Sequence, residues 1–268
     1  GLTKGPACMC TYGARAVVPS GTRSGPLFRV EAPMLSQELL PSTWPLVGRT
    51  AELAMTQRVL DDAAAGTCTA LLLCGESGIG KTRLAQVAMQ HASEHGWTVA
   101  RGSANPVETG IPYALFGDAL VPVLRHLGEA TLTTLSRGAA AQLAQIFPAL
   151  GIEPPAGDSQ AISPEIKGRV LWTVTQVLAA LGARAPVLLV LENLQWADPS
   201  SLELLHFIVR QARTARLAIV ATYNDTDYDA HGLLRTTMRS LVELGVAIRH
   251  RVAPLEREAI DELLGRVF

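Results

Sequence analysis

Short aliphatic runs alternate with stretches whose apolar residues recur every three or four positions, and this alternation organises the chain from residue 44 onward. The runs at 69–74, 97–101, 187–191, 217–223 and 247–252 have the length and branched-aliphatic content of strands. The run Val187-Leu-Leu-Val-Leu191 has no polar position, the pattern of a central parallel strand covered on both faces. Between the runs the period changes to 3.6, which predicts helices over 51–64, 82–95, 164–181, 198–212 and 232–244, with a last one starting near residue 255. Residues 112–150 predict shorter helices broken at Pro122, Gly128 and Gly138. Gly96 reads as the stop of the helix before it. Ser163-Pro164 and Asp198-Pro199 each read as an N-cap followed by proline at the first helical position. Pro154-Pro-Ala-Gly-Asp158 reads as a break.

Regular alternation of strand and helix predicts an α/β fold, a doubly wound and mostly parallel sheet flanked by helices. Residues 1–43 differ: they are rich in Gly, Pro, Ser and Thr, show little periodicity, and read as a linker or the remnant of an upstream domain. The absence of an initiator Met, and a chain that stops within an amphipathic pattern at Phe268, give the expectation of a piece of something larger.

Composition narrows the function classes. With 48% hydrophobic and 18% charged residues the bulk of the chain is not disordered, and no apolar run reaches the length of a membrane span. A formal charge of −1 with scattered Arg and Lys argues against direct nucleic-acid binding by this stretch. Cys68 and Cys74 bracket an apolar strand and read as buried thiols, which suits a reducing cytoplasm. Cys8 and Cys10 could offer half a metal site, but no second Cys/His pair lies nearby to complete it.

The chemistry concentrates at Gly75-Glu-Ser-Gly-Ile-Gly-Lys81-Thr82, a full GxxxxGK[ST] phosphate-binding pattern between a strand and a helix. At ordinary residue frequencies the four specified positions arise by accident in roughly 1 in 100 chains of this length, and the strand–loop–helix setting lowers that further. Gly75, Gly78 and Gly80 let the backbone take positive φ, so that successive N–H groups, including those of Glu76, Ser77 and Ile79, converge on one anion. The helix opening at Lys81 and continuing through Arg83 adds its positive end. Lys81 is expected to reach the β- and γ-phosphates of ATP or ADP, and the Thr82 hydroxyl to hold Mg²⁺.

Such a site also needs an acid at the end of a buried strand. Glu192 follows the 187–191 run and is the candidate acid to hold Mg²⁺ through water, one methylene longer than the usual Asp. Asn193 stands where a carboxylate would activate the attacking water; an amide positions water but cannot take its proton. Its competing reading is a polar cap on a strand end.

The stretch Leu188-Leu-Val-Leu-Glu-Asn-Leu-Gln-Trp-Ala-Asp-Pro-Ser-Ser-Leu202 resembles the Walker B region of the signal-transduction ATPases with numerous domains, and more narrowly the AAA-type ATPase module of large ATP-binding LuxR-type transcription regulators and cyclase-linked regulators. Leu46-Val-Gly-Arg49 with Glu52, Gly78-Ile-Gly-Lys-Thr-Arg-Leu84, Ile111-Pro-Tyr-Ala-Leu-Phe116, Leu217-Ala-Ile-Val-Ala-Thr-Tyr223 and Val252-Ala-Pro-Leu255 match further elements in order. The resemblance implies a P-loop NTPase core over 44–254 and the beginning of a helical subdomain over 255–268. It also implies that Val47, Gly48 and Arg49 lie against adenine and ribose, for which plain packing is the competing reading. Sensor and DNA-binding or cyclase domains attached to the same chain, and homo-oligomerisation, are implied as well.

Two departures matter. The family pattern has two Asp residues where this chain has Glu192 and Asn193, and an Arg where it has Asn224. Loss of a base and a cation together gives the expectation of a nucleotide-binding switch that hydrolyses slowly or not at all. Trp196 reads as structural, Asp198 as an N-cap, and Arg169 as either a phosphate or protomer contact or a solvated position. A small-molecule kinase is a second reading, although its lid needs several Arg residues and residues 102–165 offer only Arg125 and Arg137, and a scaffold without catalysis is a third. The histidines show no metal-ligand spacing.

Overall fold

A strand that is apolar at every position is stable only where helices cover both of its faces. The computed structural model, which describes residues 46–136, 139–152, 164–225 and 232–267, puts the aliphatic runs in that setting. Strands β1 (Thr69–Gly75), β2 (Thr98–Ser103), β3 (Val187–Glu192), β4 (Leu217–Asn224) and β5 (Ala247–Arg251) form one sheet in the order β2-β3-β4-β1-β5. Each neighbouring pair is parallel.

Side chains alternate between two cores, as the period of two requires. Leu71, Leu73, Leu188, Val190, Ala218 and Val220 pack toward α1 (Thr50–Ala64) and α2 (Lys81–Glu94). Leu72, Leu189, Leu191, Ile219 and Ala221 pack into the opposite core. That layer is built from α3 (Ala114–Leu127), α4 (Glu129–Leu135), α5 (Ala140–Ile146), α6 (Pro164–Arg184), α7 (Pro199–Gln211) and α8 (Gly232–Glu243). After β5 the chain continues into α9 (Arg257–Val267).

Most of the expected elements are present within a few residues of their anticipated bounds. Gly96 has φ +73° and its N–H bonds to Ser93 O, the expected helix stop. Asp198 caps α7 by accepting from Ser201 N at 2.9 Å. Gly128, at φ +74°, separates α3 from α4. The expected break at Pro122 is corrected: α3 runs straight through it. Proline forfeits one backbone bond, yet Phe116, Leu120, Val121 and Leu124 are buried on both sides of it, and that burial outweighs the loss. Residues 1–43 with Cys8 and Cys10, Arg137, Gly138, the break at 154–158 and the Ser163 cap lie outside the described residues.

What the topology does for function is to insert β4 between β1 and β3. Gly75 pairs with Asn224, and Leu191 with Ala221, so the carboxyl ends of the three strands finish nearly level. Ligands of parallel α/β sheets sit at that end. On the far side β2 approaches α3 so closely that a Cβ on Gly102 would lie 2.4 Å from Leu115 O and 2.9 Å from Ala119 N. Both obstacles are backbone, so no side chain can rotate away. Gly102→Ala is therefore expected to destabilise the protein by about 1–3 kcal/mol. Urea unfolding checks this, and a midpoint equal to wild type would show that α3 can move off the sheet.

Candidate functional site

Between β1 and α2 the chain must turn sharply while keeping its N–H groups pointed inward. Gly75 (φ +150°), Gly78 (φ +77°) and Gly80 (φ +106°) supply the turn. At Gly75 a Cβ would stand 2.9 Å from Val252 O, so its side-chain space is closed as well. Gly80, left-handed, is the residue immediately before α2. Lys81 opens that helix, and its Nζ donates at 2.7 Å to both Gly75 O and Glu76 O, folded back over the loop. Burial of the ammonium lowers its pKa below the ordinary lysine value, with the negative charge of Asp225 opposing the shift.

The loop opens into a cleft of about 620 Å³. From the expected residues, Ser77, Gly78, Gly80, Lys81, Thr82 and Arg83 line it, together with Asn193 from the end of β3 and Asn224 from the end of β4. Gly75, Glu76 and Ile79 shape the loop from behind: Ile79 packs into the core, and its N–H bonds to Glu76 O. The sequence reading missed Gln86, Gln195 and Thr222, which also line the cleft. Helical and strand spacing could have found two of them: Gln86 is one turn beyond Thr82, and Thr222 shares a strand face with Asn224.

Asn193 sits in the left-handed region at φ +60°, a conformation that Asn tolerates better than most residues. Its N–H donates to Thr222 Oγ1 at 3.3 Å and its Nδ2 to Ser103 Oγ at 3.1 Å. Gln195 Oε1 accepts from Asn224 N at 3.0 Å. The tips of β2, β3 and β4 are thus laced together by uncharged polar groups around the cleft. Among the lining residues only Lys81 and Arg83 are charged.

Glu192 is placed differently from its expected role. It is 2% exposed and absent from the cleft wall, and its Oε2 is held 2.6 Å from both Nε and Nη2 of Arg101 on β2. Of the two residues expected at Mg²⁺, Thr82 lines the cleft and Glu192 does not. Of the expected Mg²⁺ pair, Thr82 thus stands on the cleft wall, while the Glu192 carboxylate is engaged by Arg101. Among the described residues no group of three or more His, Cys, Asp and Glu could hold a metal ion.

The box ahead of α1 supports the loop from outside. Arg49, buried at 6% exposure, donates to Ile79 O at 2.9 Å, Ala253 O at 2.7 Å and Glu52 Oε1 at 3.1 Å. Three of its N–H donors thus go to protein acceptors, as the packing reading of this segment expects. Gly48 fits against α9, where a Cβ would meet Ala259 Cβ at 2.5 Å, and Val47 is buried; neither lines the cleft. Asp198 accepts from Tyr113 N at 3.0 Å in addition to capping α7, so it ties the segment before α3 to the β3 loop. Burial pushes the Tyr113 phenol up to about 12, with Glu203 and Asp198 adding to it. Trp196 packs against the core, whereas Arg169 and Arg125 are exposed and away from the cleft.

Comparison with known proteins places this geometry. A sequence model of the family described as AAA ATPase domain matches residues 45–220. An uncharacterized protein of Rhizobium meliloti (strain 1021) is 27% identical over 218 residues, covering 74% of this chain and 20% of that protein. This chain therefore spans about a fifth of that relative's length. Among solved structures, the Aeropyrum pernix ORC1 protein in complex with DNA aligns with a TM-score of 0.48 at 20% identity, over 84% of this chain and 51% of that one. Drosophila ORC bound to DNA aligns with a TM-score of 0.39 at 14% identity, over 76% and 93%.

The three acceptors on Arg49 make its role measurable without any ligand. Arg49→Ala is expected to cost about 2–4 kcal/mol of stability in nucleotide-free protein, since Glu52 and two carbonyls lose their donor. Arg49→Lys should recover less than half, because an ammonium cannot span the fork. Calorimetry checks both, and an unchanged melting temperature would assign Arg49 to the ligand instead.

Proposed function

This chain belongs to the AAA ATPase domain family, and from that premise we propose that its nucleotide-binding module works as a regulatory switch whose hydrolysis is attenuated. The carrying observation is the wall of the cleft. It offers a phosphate cradle with Lys81 and Thr82, but Asn193 and Asn224 where a base and a cation would stand.

Binding follows from the loop. Converging N–H groups, the positive end of α2 and the Lys81 ammonium all favour a triphosphate. Lys81 would exchange its carbonyl acceptors for phosphate oxygens, which also relieves the cost of burying its charge. Mg²⁺, when bound, would supply charge neutralisation to the phosphates, and Thr82 on the cleft wall would be the residue to ligate it. Turnover is a separate matter. The Asn193 amide can orient water through the same polar network that binds Ser103, yet it has no basicity to take a proton. Asn224 adds no positive charge beside the γ-phosphate position, so developing charge is stabilised only by the loop.

Switching needs a partner element whose packing the nucleotide can bias. The segment from β5 through α9 meets that need, since Ala253 O is bound by Arg49, which also holds the loop at Ile79 O. A change at the loop is thereby felt at the approach to α9. The domain covers only 20% of its Rhizobium meliloti relative, which supports reading it as one module of a multidomain signalling or transcription regulator. In that reading, sensor and DNA-binding or cyclase domains on the same chain, and assembly into homo-oligomers, supply input and output in the cytoplasm.

Lys81→Ala is expected to weaken ATP and ADP binding about 100-fold, by loss of charge-assisted phosphate contacts. Equilibrium titration with a fluorescent nucleotide measures it; retained affinity would show that the P-loop does not hold the nucleotide, whereas no binding by wild type would favour the scaffold reading. Asn193→Asp combined with Asn224→Arg should raise steady-state ATP hydrolysis by about 100-fold or more, with affinity changed far less. A phosphate-release assay decides, and an unchanged rate would mean that something other than these side chains limits turnover.

A further inference from the structure

The edge strand β2 carries an arginine that the nucleotide site does not explain. Arg101 pairs with Val190 across the β2–β3 ladder, so Glu192, two residues on, lies on the same face within diagonal reach. Nε and Nη2 of Arg101 both stand 2.6 Å from a single oxygen of Glu192, a charge-assisted contact at the short end of the range. The partners are unequally buried: the Glu192 side chain is 3% exposed and that of Arg101 33%. The guanidinium can leave for water, whereas the carboxylate has nowhere to go and must keep some cation beside it.

We infer that Arg101 is an internal cation that withholds Glu192 from Mg²⁺, so that this cleft captures nucleoside triphosphate with little help from the metal until Arg101 swings out. The inference rests on reading the cleft as a nucleotide site. It goes beyond that reading by assigning a positioning role to a residue outside the cleft wall.

Charge balance gives the reason. A divalent cation approaching Glu192 meets a carboxylate already neutralised, together with a positive charge a few ångströms away. Metal recruitment and departure of Arg101 are consequently one coupled event. Thr82, the other oxygen donor, lies on the cleft wall, so Glu192 is the missing half of the set and Arg101 is what withholds it. Because Arg101 sits at the sheet edge and partly in solvent, a contact made against β2 could release it and thereby switch the metal dependence of the site.

The test measures ATP affinity of the full chain by equilibrium titration, once with excess Mg²⁺ and once with EDTA. Wild type is expected to show a ratio of affinities within about threefold, and Arg101→Gln a ratio increased by about tenfold in favour of Mg²⁺. Glutamine keeps a donor for the buried carboxylate, and a circular-dichroism melt verifies that the variant folds. Should it not fold, Glu192→Gln decides: the ratio should stay at the wild-type value, because Glu192 is not serving the metal. Equal ratios in wild type and Arg101→Gln overturn the inference while leaving the nucleotide site intact. So does a wild-type ratio of about tenfold or more that Glu192→Gln abolishes. Failure of wild type to bind ATP under either condition overturns the nucleotide reading itself, and this inference with it.

Discussion

The register of β4 between β1 and β3 is the constraint on which the rest depends. Because Gly75 lies opposite Asn224, and Leu191 opposite Ala221, the ends of three strands, β1 far from the other two in sequence, open onto one cleft. Shifting β4 by one residue would turn Thr222 and Asn224 to the wrong face and swap Ile219 and Ala221 into the opposite core, so the packing of the two apolar cores fixes the register. The site is in that sense a by-product of burying the central strands twice over.

Two arginines on either flank of this arrangement do similar physical work. Arg49 gathers carbonyls from the P-loop and from the segment after β5, and Arg101 neutralises the carboxylate at the end of β3. In each case the planar fork satisfies acceptors that the fold has buried or curved away from water. The cleft is left with the phosphate-binding cations and a rim of uncharged amides and hydroxyls. In the proposed reading, such a rim favours retention of an anion over reaction with it, since it offers neither a base nor a further cation.

Much of this was legible in the sequence. The P-loop declared itself because its glycines, its lysine and its neighbours in the chain are contiguous, so one local pattern contains the whole structural argument. The strands and the caps at Gly96 and Asp198 were legible for the same reason, each being a matter of a few adjacent residues. Pro122 was misread because local propensity speaks of one lost hydrogen bond and says nothing of the four apolar neighbours that hold α3 together. For Arg49 the motif leaves both a ribose contact and plain packing open, and only the fold shows that it donates to the carbonyls of Ile79 and Ala253.

By itself the sequence determined that a phosphate cradle exists, that an acid and two amides stand at the ends of apolar strands, and that the sheet is parallel. These follow from periodicity and short motifs, which act over a few residues. Only the tertiary structure decided that Glu192 turns to Arg101, while Asn193 and Asn224 turn to the cleft. That choice depends on which strand lies beside which, and strand order is set by burial summed over the whole sheet. An ionisable side chain then pairs with whatever that packing leaves within reach.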